Sequence, residues 1–514
     1  MPGGVPPVQG PRRRPGTVGG VAPRAGKTTG ADSSDDPRRG PRAAAGAAAD
    51  AAGNHALSGE DGPVTQQDAP FLVGQELEVA VEDVAQGGWC VARPDGLPVM
   101  FVRHALPGES VIARVTEVTS RFVRADAVRV LRPSPDRVEP PCPNAHPGGC
   151  GGCDWQHASL SAQRALKASV ITQQLRRLAG IDREVTVEAL PGDGDAEITA
   201  TGGTPGLGWR TRVQFAVDKA GVAGLRGHRS HEVVDIGDCP IAHQAIRELD
   251  VTGDNWSGAA AVEVAVGGAE TTENFALTVV EDDGPQRKPG GGKAGHGKDG
   301  RRGGRVRPPR QHRTLVEGRP FLAEQAAGRI WQVSADGFWQ VHPAAADALV
   351  SAVTEALAPA PGDTVLDLYC GAGLFAGAIA PLVGPEGAVT GIEFDSAAVK
   401  NARQNLGDCP WAAFRQSDVA RALNEPDLPP ARLVIADPPR AGLAREVVDY
   451  LTGDSRAERF AYVSCDPATL ARDLGLLTAG GWRLAGLRAF DAFPMTHHVE
   501  CVAALTRGAG DGGR

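Results

Sequence analysis

Two residues near the carboxyl end of the 514-residue chain have the types and setting for covalent chemistry. Cys465 stands in Tyr462-Val-Ser-Cys-Asp-Pro-Ala-Thr-Leu-Ala-Arg472, where an apolar run ends and a helical pattern begins. A thiol there can attack an electrophilic carbon, and a helix amino end beside it would favour the thiolate. A cysteine in such a run also serves as a small buried hydrophobe. Glu500 closes Phe493-Pro-Met-Thr-His-His-Val-Glu500 and is a candidate general base, the alternative being a surface carboxylate near the chain end. A separate group, Cys142, Cys150, Cys153 and Cys239, includes a CxxC arm whose glycines let backbone amides approach sulfur. Four thiolates can hold either a zinc ion or a [4Fe-4S] cluster, and spacing alone leaves both open.

These groups need elements to position them. From about Gln332 onward, apolar strands alternate with helical segments, the pattern of βαβ units on a parallel sheet. The reading places a helix over Pro343 to Leu357, strands over Thr364 to Leu368 and Ala388 to Glu393, a helix over Ser396 to Leu406, and strands over Leu433 to Ala436 and Arg459 to Ser464. In such sheets a ligand binds at the carboxyl ends of the strands. Thr364-Val-Leu-Asp-Leu-Tyr-Cys-Gly-Ala-Gly373 runs a strand into a Gly-rich turn that opens a helix, with Asp367 before the turn. Glu393 closes the next strand, where a carboxylate can accept hydrogen bonds from ribose hydroxyls. The GAG turn lacks the longer pyrophosphate fingerprint, so the layout resembles class I S-adenosylmethionine-dependent methyltransferases. A dinucleotide dehydrogenase stays compatible with these features alone. Asp437-Pro-Pro-Arg440 adds an acid and a rigid loop at the same edge; Arg440 stands where amine methyltransferases carry a base-stacking aromatic, which argues for a different methylation chemistry.

The rest of the chain divides by composition. Residues 1–70 are dominated by Ala, Gly, Pro, Arg and Asp and are expected to be a disordered tail. Residues 71–132 alternate short apolar segments with Gly and Pro turns, as small β-barrels do. Residues 133–330 form a central domain with the cysteine group and a disordered basic insertion at about 282–313, which holds ten Lys/Arg against one Asp from Arg287 to Arg313. Residues 331–514 form the βαβ domain. A net charge of -9 gives no whole-protein signature of nucleic-acid binding. Local clusters exist at Arg121, Arg124, Arg129, Arg132 and Arg137, and at Arg164, Lys167, Arg176 and Arg177, and these read equally well as phosphate contacts or solvated faces. No apolar run is long enough to span a bilayer, and no signal-peptide core follows the arginines at 12–14, so a cytosolic, monomeric protein with reduced thiols is expected.

The segments GQELEVAVEDVAQGGWCVAR and PVMFVRHALPGESVIARV resemble the TRAM domain, a small OB-like RNA-binding barrel of RNA-modifying enzymes. DLYCGAG, DPPRAGL, SCDPATLARD and FPMTHHVE, in that order, resemble the RNA uracil-5 methyltransferase family over about residues 71–506. Carbon 5 of uracil is a poor nucleophile, so its methylation requires a thiolate to add first at carbon 6. The resemblance implies Cys465 as that nucleophile and Glu500 as the base that removes the carbon 5 proton. It implies S-adenosylmethionine contacts from Gln340, Tyr369, Glu393, Asp418 and Asp437. CGGCDWQH with Asp238-Cys239-Pro240 resembles the pattern of members that carry an iron-sulfur cluster, which moves the four cysteines towards [4Fe-4S] as a structural staple or RNA-facing element. The implied fold is a Rossmann-like methyltransferase domain with an N-terminal TRAM-type barrel and a central α+β iron-sulfur domain. The implied partner is RNA, 23S ribosomal RNA ahead of transfer RNA. Rival readings are a non-catalytic RNA-binding protein on the same scaffold, a methyltransferase of another RNA base, and a radical S-adenosylmethionine enzyme, against which the seven residues between Cys142 and Cys150 argue.

Overall fold

The computed structural model describes residues 72–96, 98–193, 204–282, 311–453 and 455–507. The expected tail at 1–70 lies outside them, as does 283–310 of the expected basic insertion. Gln311–Gly318, which overlaps the end of that insertion, is a β-strand, and Arg313 within it pairs with Glu263 at 3.1 Å.

Glu76–Ala85, Trp89–Ala92, Val99–Arg103, Ser110–Val118 and Phe122–Arg132 close into a five-stranded barrel. Alternation closes it: Val111, Ala113 and Val115 of one strand point inward, against Met100 and Val123 of others. The arginines expected as a basic patch here do not all face solvent. Arg124 is buried against Trp89 and Phe122 and is paired with Glu117. Arg137 forks onto Glu109 at 2.6 and 2.7 Å. Burying these guanidiniums with partners is what makes their burial tolerable.

The central region carries a six-stranded antiparallel sheet from Arg212–Val217 to Gln311–Gly318, in the order Gln311–Gly318, Phe275–Asp282, Ala261–Val266, Arg212–Val217, Ala223–Arg226, Val233–Val234. The helix Leu160–Gln174, capped by Ser159, belongs elsewhere: its Ile171 packs into the core of the carboxyl-terminal sheet.

That sheet has eight strands, in the order Ala412–Gln416, Ala388–Glu393, Thr364–Leu368, Leu433–Ala436, Arg459–Ser464, Glu500–Thr506, Arg483–Asp491, Val187–Ala189. The first five are parallel and Glu500–Thr506 enters antiparallel. Helix Ala345–Leu357 buries Ala345, Leu349, Ala352, Val353 and Leu357 on one face, as its spacing dictates. The four strands read from sequence in this region coincide with those observed, because each is a short apolar run bounded by polar or glycine residues. Two contributions come from outside the expected span of residues 331–514. Val187–Ala189 adds the eighth strand, and the hairpin Phe321–Ala326 with Arg329–Ser334 crosses residue 331 and sends Trp331 into this core. No helix among the described residues is long and apolar enough to cross a membrane.

Candidate active site

The Gly-rich turn follows Thr364–Leu368 directly. Tyr369 has φ of 63°, a strained conformation for a non-glycine residue, and Gly371 follows with φ of 53°. A Cβ added at Gly371 would project into open space, so the backbone there is open to a ligand, whereas one at Gly373 would press on Ala402 and Leu406. Glu393 faces this turn, accepting from the Gly371 amide at 3.1 Å and the Asp395 amide at 2.8 Å. Asp418 caps the helix Val419–Ala422 through the Arg421 amide at 3.1 Å. Asp437 follows Leu433–Ala436, and burial pushes its carboxyl up to about 7. Gln340 is buried beside Trp339, whose ring packs on Trp331.

Asp367 lies at the centre of this edge and is fully buried. One carboxylate oxygen accepts from the Ala376 amide at 2.9 Å, and the other has no hydrogen-bond partner. Burial, with Asp437 and Glu393 adding repulsion, pushes its carboxyl up to about 8. An orphaned buried acceptor among three carboxylates suits a ligand that brings positive charge.

The covalent candidates sit at the next strand ends. Ser464 pairs with Cys501 across antiparallel strands, so Cys465, one residue beyond its strand, and Glu500, at the start of the other, face the same edge. Burial and then the Glu500 charge push the Cys465 thiol up, while Arg440 pulls it down. Burial and Asp437 push the Glu500 carboxyl well up, again opposed by Arg440. Desolvation therefore acts against the thiolate-favouring effect expected of the following helix. Asp466, the residue after the nucleophile, is consumed as the cap of helix Pro467–Ala479, accepting from the Ala468 and Thr469 amides at 3.0 and 2.8 Å. Its second oxygen accepts from Gln86 of the barrel at 3.0 Å.

Cys142, Cys150, Cys153 and Cys239 line one recess with Arg210 and Gln156, partly open to solvent. Burial, then the neighbouring Cys239 and Cys142 sulfurs, push the Cys150 thiol up to about 11, against a 3.3 Å donation from the Gly152 amide. Among the described residues no three His, Cys, Asp or Glu side chains are arranged to hold a metal ion. The structure thus shows neither the zinc ion nor the [4Fe-4S] cluster weighed for these four cysteines.

Sequence reasoning missed the residues that hold the Glu500 side of the site. Lys167, expected on a basic helix face, is buried and paired with Asp491 at 2.5 Å. Asp154, inside CGGCDWQH, meets His497, inside FPMTHHVE, at 2.6 Å. Only the position of both residues within long motifs could have signalled this contact.

The parallel sheet with its acid-lined carboxyl edge is that of a class I methyltransferase. Comparisons with known proteins agree: residues 70–128 match the TRAM domain, 359–429 a methyltransferase domain, and 429–508 the tRNA (Uracil-5-)-methyltransferase family. An uncharacterized RNA methyltransferase of Streptomyces coelicolor is 49% identical over 84% of this chain and 93% of its own. The 23S rRNA (uracil(1939)-C(5))-methyltransferase RlmD of Methylococcus capsulatus is 32% identical over 85% of this chain and 98% of its own. Among solved structures, the tRNA (uracil-54, C5)-methyltransferase of Pyrococcus abyssi, in complex with S-adenosyl-L-homocysteine, covers 84% of this chain and 100% of its own at a TM-score of 0.58 and 24% identity, a likeness of fold. The chain belongs to the RNA uracil-5-methyltransferase family whose members join a TRAM domain to an S-adenosylmethionine-dependent methyltransferase domain.

Proposed function

We propose that this protein methylates carbon 5 of one uridine in structured RNA, with 23S ribosomal RNA as the substrate, through a covalent adduct on Cys465. The observation that carries this reading is the opposition of Cys465 and Glu500 at adjoining strand ends, next to the acid-lined edge. Bound against Gln340, Tyr369, Glu393, Asp418 and Asp437, S-adenosylmethionine supplies the methyl group, and its positive charge suits the orphaned oxygen of Asp367. As the thiolate, the form that Arg440 favours, Cys465 adds through Sγ to carbon 6 of the uracil and raises the electron density at carbon 5. Once carbon 5 carries its methyl group, Glu500 removes the proton left there. The carbon 5–carbon 6 double bond re-forms, and the carbon–sulfur electron pair returns to Cys465. Arg440 acts on both groups, since it favours the anionic form of each.

The protein acts as a cytosolic monomer. The Methylococcus relative supports ribosomal RNA as the substrate, and the Pyrococcus enzyme makes transfer RNA the alternative. Mapping 5-methyluridine in both RNA pools of a deletion strain tests this: loss from 23S ribosomal RNA alone is expected, and loss from transfer RNA alone would overturn the choice.

The four-cysteine recess is proposed to hold a [4Fe-4S] cluster, with Cys142, Cys150, Cys153 and Cys239 as ligands. The convergence of all four thiols on one recess supports it, since four thiolates can ligate such a cluster. Its contribution there is structural, since methyl transfer moves no electron. Protein purified without oxygen is expected to contain about four irons per chain. Stoichiometric zinc without sulfide would contradict the assignment.

A further inference from the structure

Residues 491–500 connect Arg483–Asp491 to Glu500–Thr506 and deliver Glu500 to the site, yet their hold comes from the far side of the chain. Lys167 Nζ donates to Asp491 at 2.5 Å and to the Phe493 carbonyl at 3.0 Å. Gln163 spans Met495, accepting from its amide at 2.7 Å and donating to its sulfur at 3.3 Å. The amides of Asp154 and Trp155 both donate to the Met495 carbonyl at 3.0 Å. The Asp154 carboxylate accepts from the His497 amide at 3.2 Å and meets His497 Nδ1 at 2.6 Å. These contacts join residues 324 to 343 positions apart.

The arrangement stores strain. Met495 has φ of 70°, a backbone region that is costly for a non-glycine residue and persists only where surrounding contacts over-determine it. Here those contacts are Gln163, Asp154 and Trp155. Asp154 is the junction of the set: it is buried, it faces Arg103 of the barrel at 3.6 Å, and a Cβ at Gly88 of the barrel would stand 2.8 Å from it. Beyond His497, His498 lies against the His497 ring at a 45° tilt with centroids 4.0 Å apart and approaches Arg440 at 3.5 Å. Arg440 in turn acts on Cys465 and Glu500.

We infer that Asp154 is a positioning residue for proton removal: through His497 and Met495 it fixes the loop that aims Glu500, so that the amino-terminal half of the chain sets the geometry of the last chemical step. The inference rests on the uracil-5 reading of Glu500. It predicts a defect in one step, because a base displaced by about 1 Å loses on the order of 100-fold in rate while binding surfaces elsewhere stay intact.

The test uses the full chain and an unmodified RNA transcript. Wild-type protein must first form 5-methyluridine; if it forms none, the parent reading fails. Asp154→Ala is expected to lower kcat on the order of 100-fold, to leave the RNA KM and S-adenosylmethionine affinity within about twofold, and to accumulate a covalent protein–RNA adduct on a denaturing gel. Asp154→Asn, which keeps an oxygen for the His497 amide, should restore most of the turnover. If Asp154→Ala does not fold, His497→Ala cuts the same contact at a side chain that is 21% exposed, and the same adduct is expected. Active wild-type protein with either alanine variant turning over at an unchanged rate would overturn the inference. So would a loss expressed wholly in the RNA KM, with no adduct.

Discussion

At the cofactor edge, Tyr369, Glu393 and Asp437 each stand at the end of a strand of one parallel sheet, and local hydrogen bonds such as Glu393 to the Gly371 amide complete their placement. The loop that carries Glu500 is built differently. Glu500 is one residue of a connection whose path is fixed by Asp154, Gln163 and Lys167, from a helix and a loop that precede the methyltransferase domain in sequence. In the proposed reaction, a site half local and half imported separates two jobs: the local half takes the ligand, and the imported half aims Glu500 from a distance.

The largest expected effect breaks the covalent step itself. Cys465→Ala should abolish turnover, since Cys465 is the thiol placed opposite Glu500 by the strand register, while S-adenosylmethionine binding measured by calorimetry stays close to wild type. Measurable multiple turnover would end the assignment.

Next in size is the buried ion pair beneath the imported half. Lys167→Ala leaves Asp491 buried without a partner and should cost about 3–5 kcal/mol of stability, read as a fall in chemical-denaturation midpoint. A shift comparable to a surface substitution would show that Lys167 does not anchor the loop.

On the local half, Asp367 links stability to pH. Its folded carboxyl is raised to about 8 from an ordinary 3.8, so its favourable contribution is complete below about pH 4 and is lost as pH rises towards 8. Asp367→Asn should flatten the decline of Tm over that window. An unchanged slope would show that burial of this group is relieved in solution.

The smallest effect concerns the contact between barrel and nucleophile loop. Gln86→Ala removes one hydrogen bond to Asp466, worth about 1 kcal/mol, and should slow turnover only several-fold because two helix amides still hold Asp466. The same contact, with Trp155 donating to the Gly88 carbonyl at 3.2 Å, means that deleting the barrel would disturb the site as well as RNA affinity.

The legible parts of this molecule were those whose signals are local. Thr364–Leu368 and Leu433–Ala436 are apolar runs ending in polar turns, and the barrel strands alternate between faces. Val187–Ala189 is three residues long and gains its place only by pairing with Arg483–Asp491, a partner no periodicity announces. Lys167 read equally well as a phosphate contact or a solvated charge because its sequence neighbours are basic, and only the fold shows the carboxylate that pairs with it. The helix after Cys465 was expected to favour its anion, and only the fold shows the burial that acts against it.

The central claim is that Cys465 and Glu500 perform successive halves of one covalent reaction. Glu500→Gln incubated with unmodified RNA and S-adenosylmethionine, digested, and mapped by mass spectrometry tests it directly. The account predicts a methylated uridine attached to the peptide that contains Cys465. Methylated RNA released freely, or an adduct on any other residue, would contradict it.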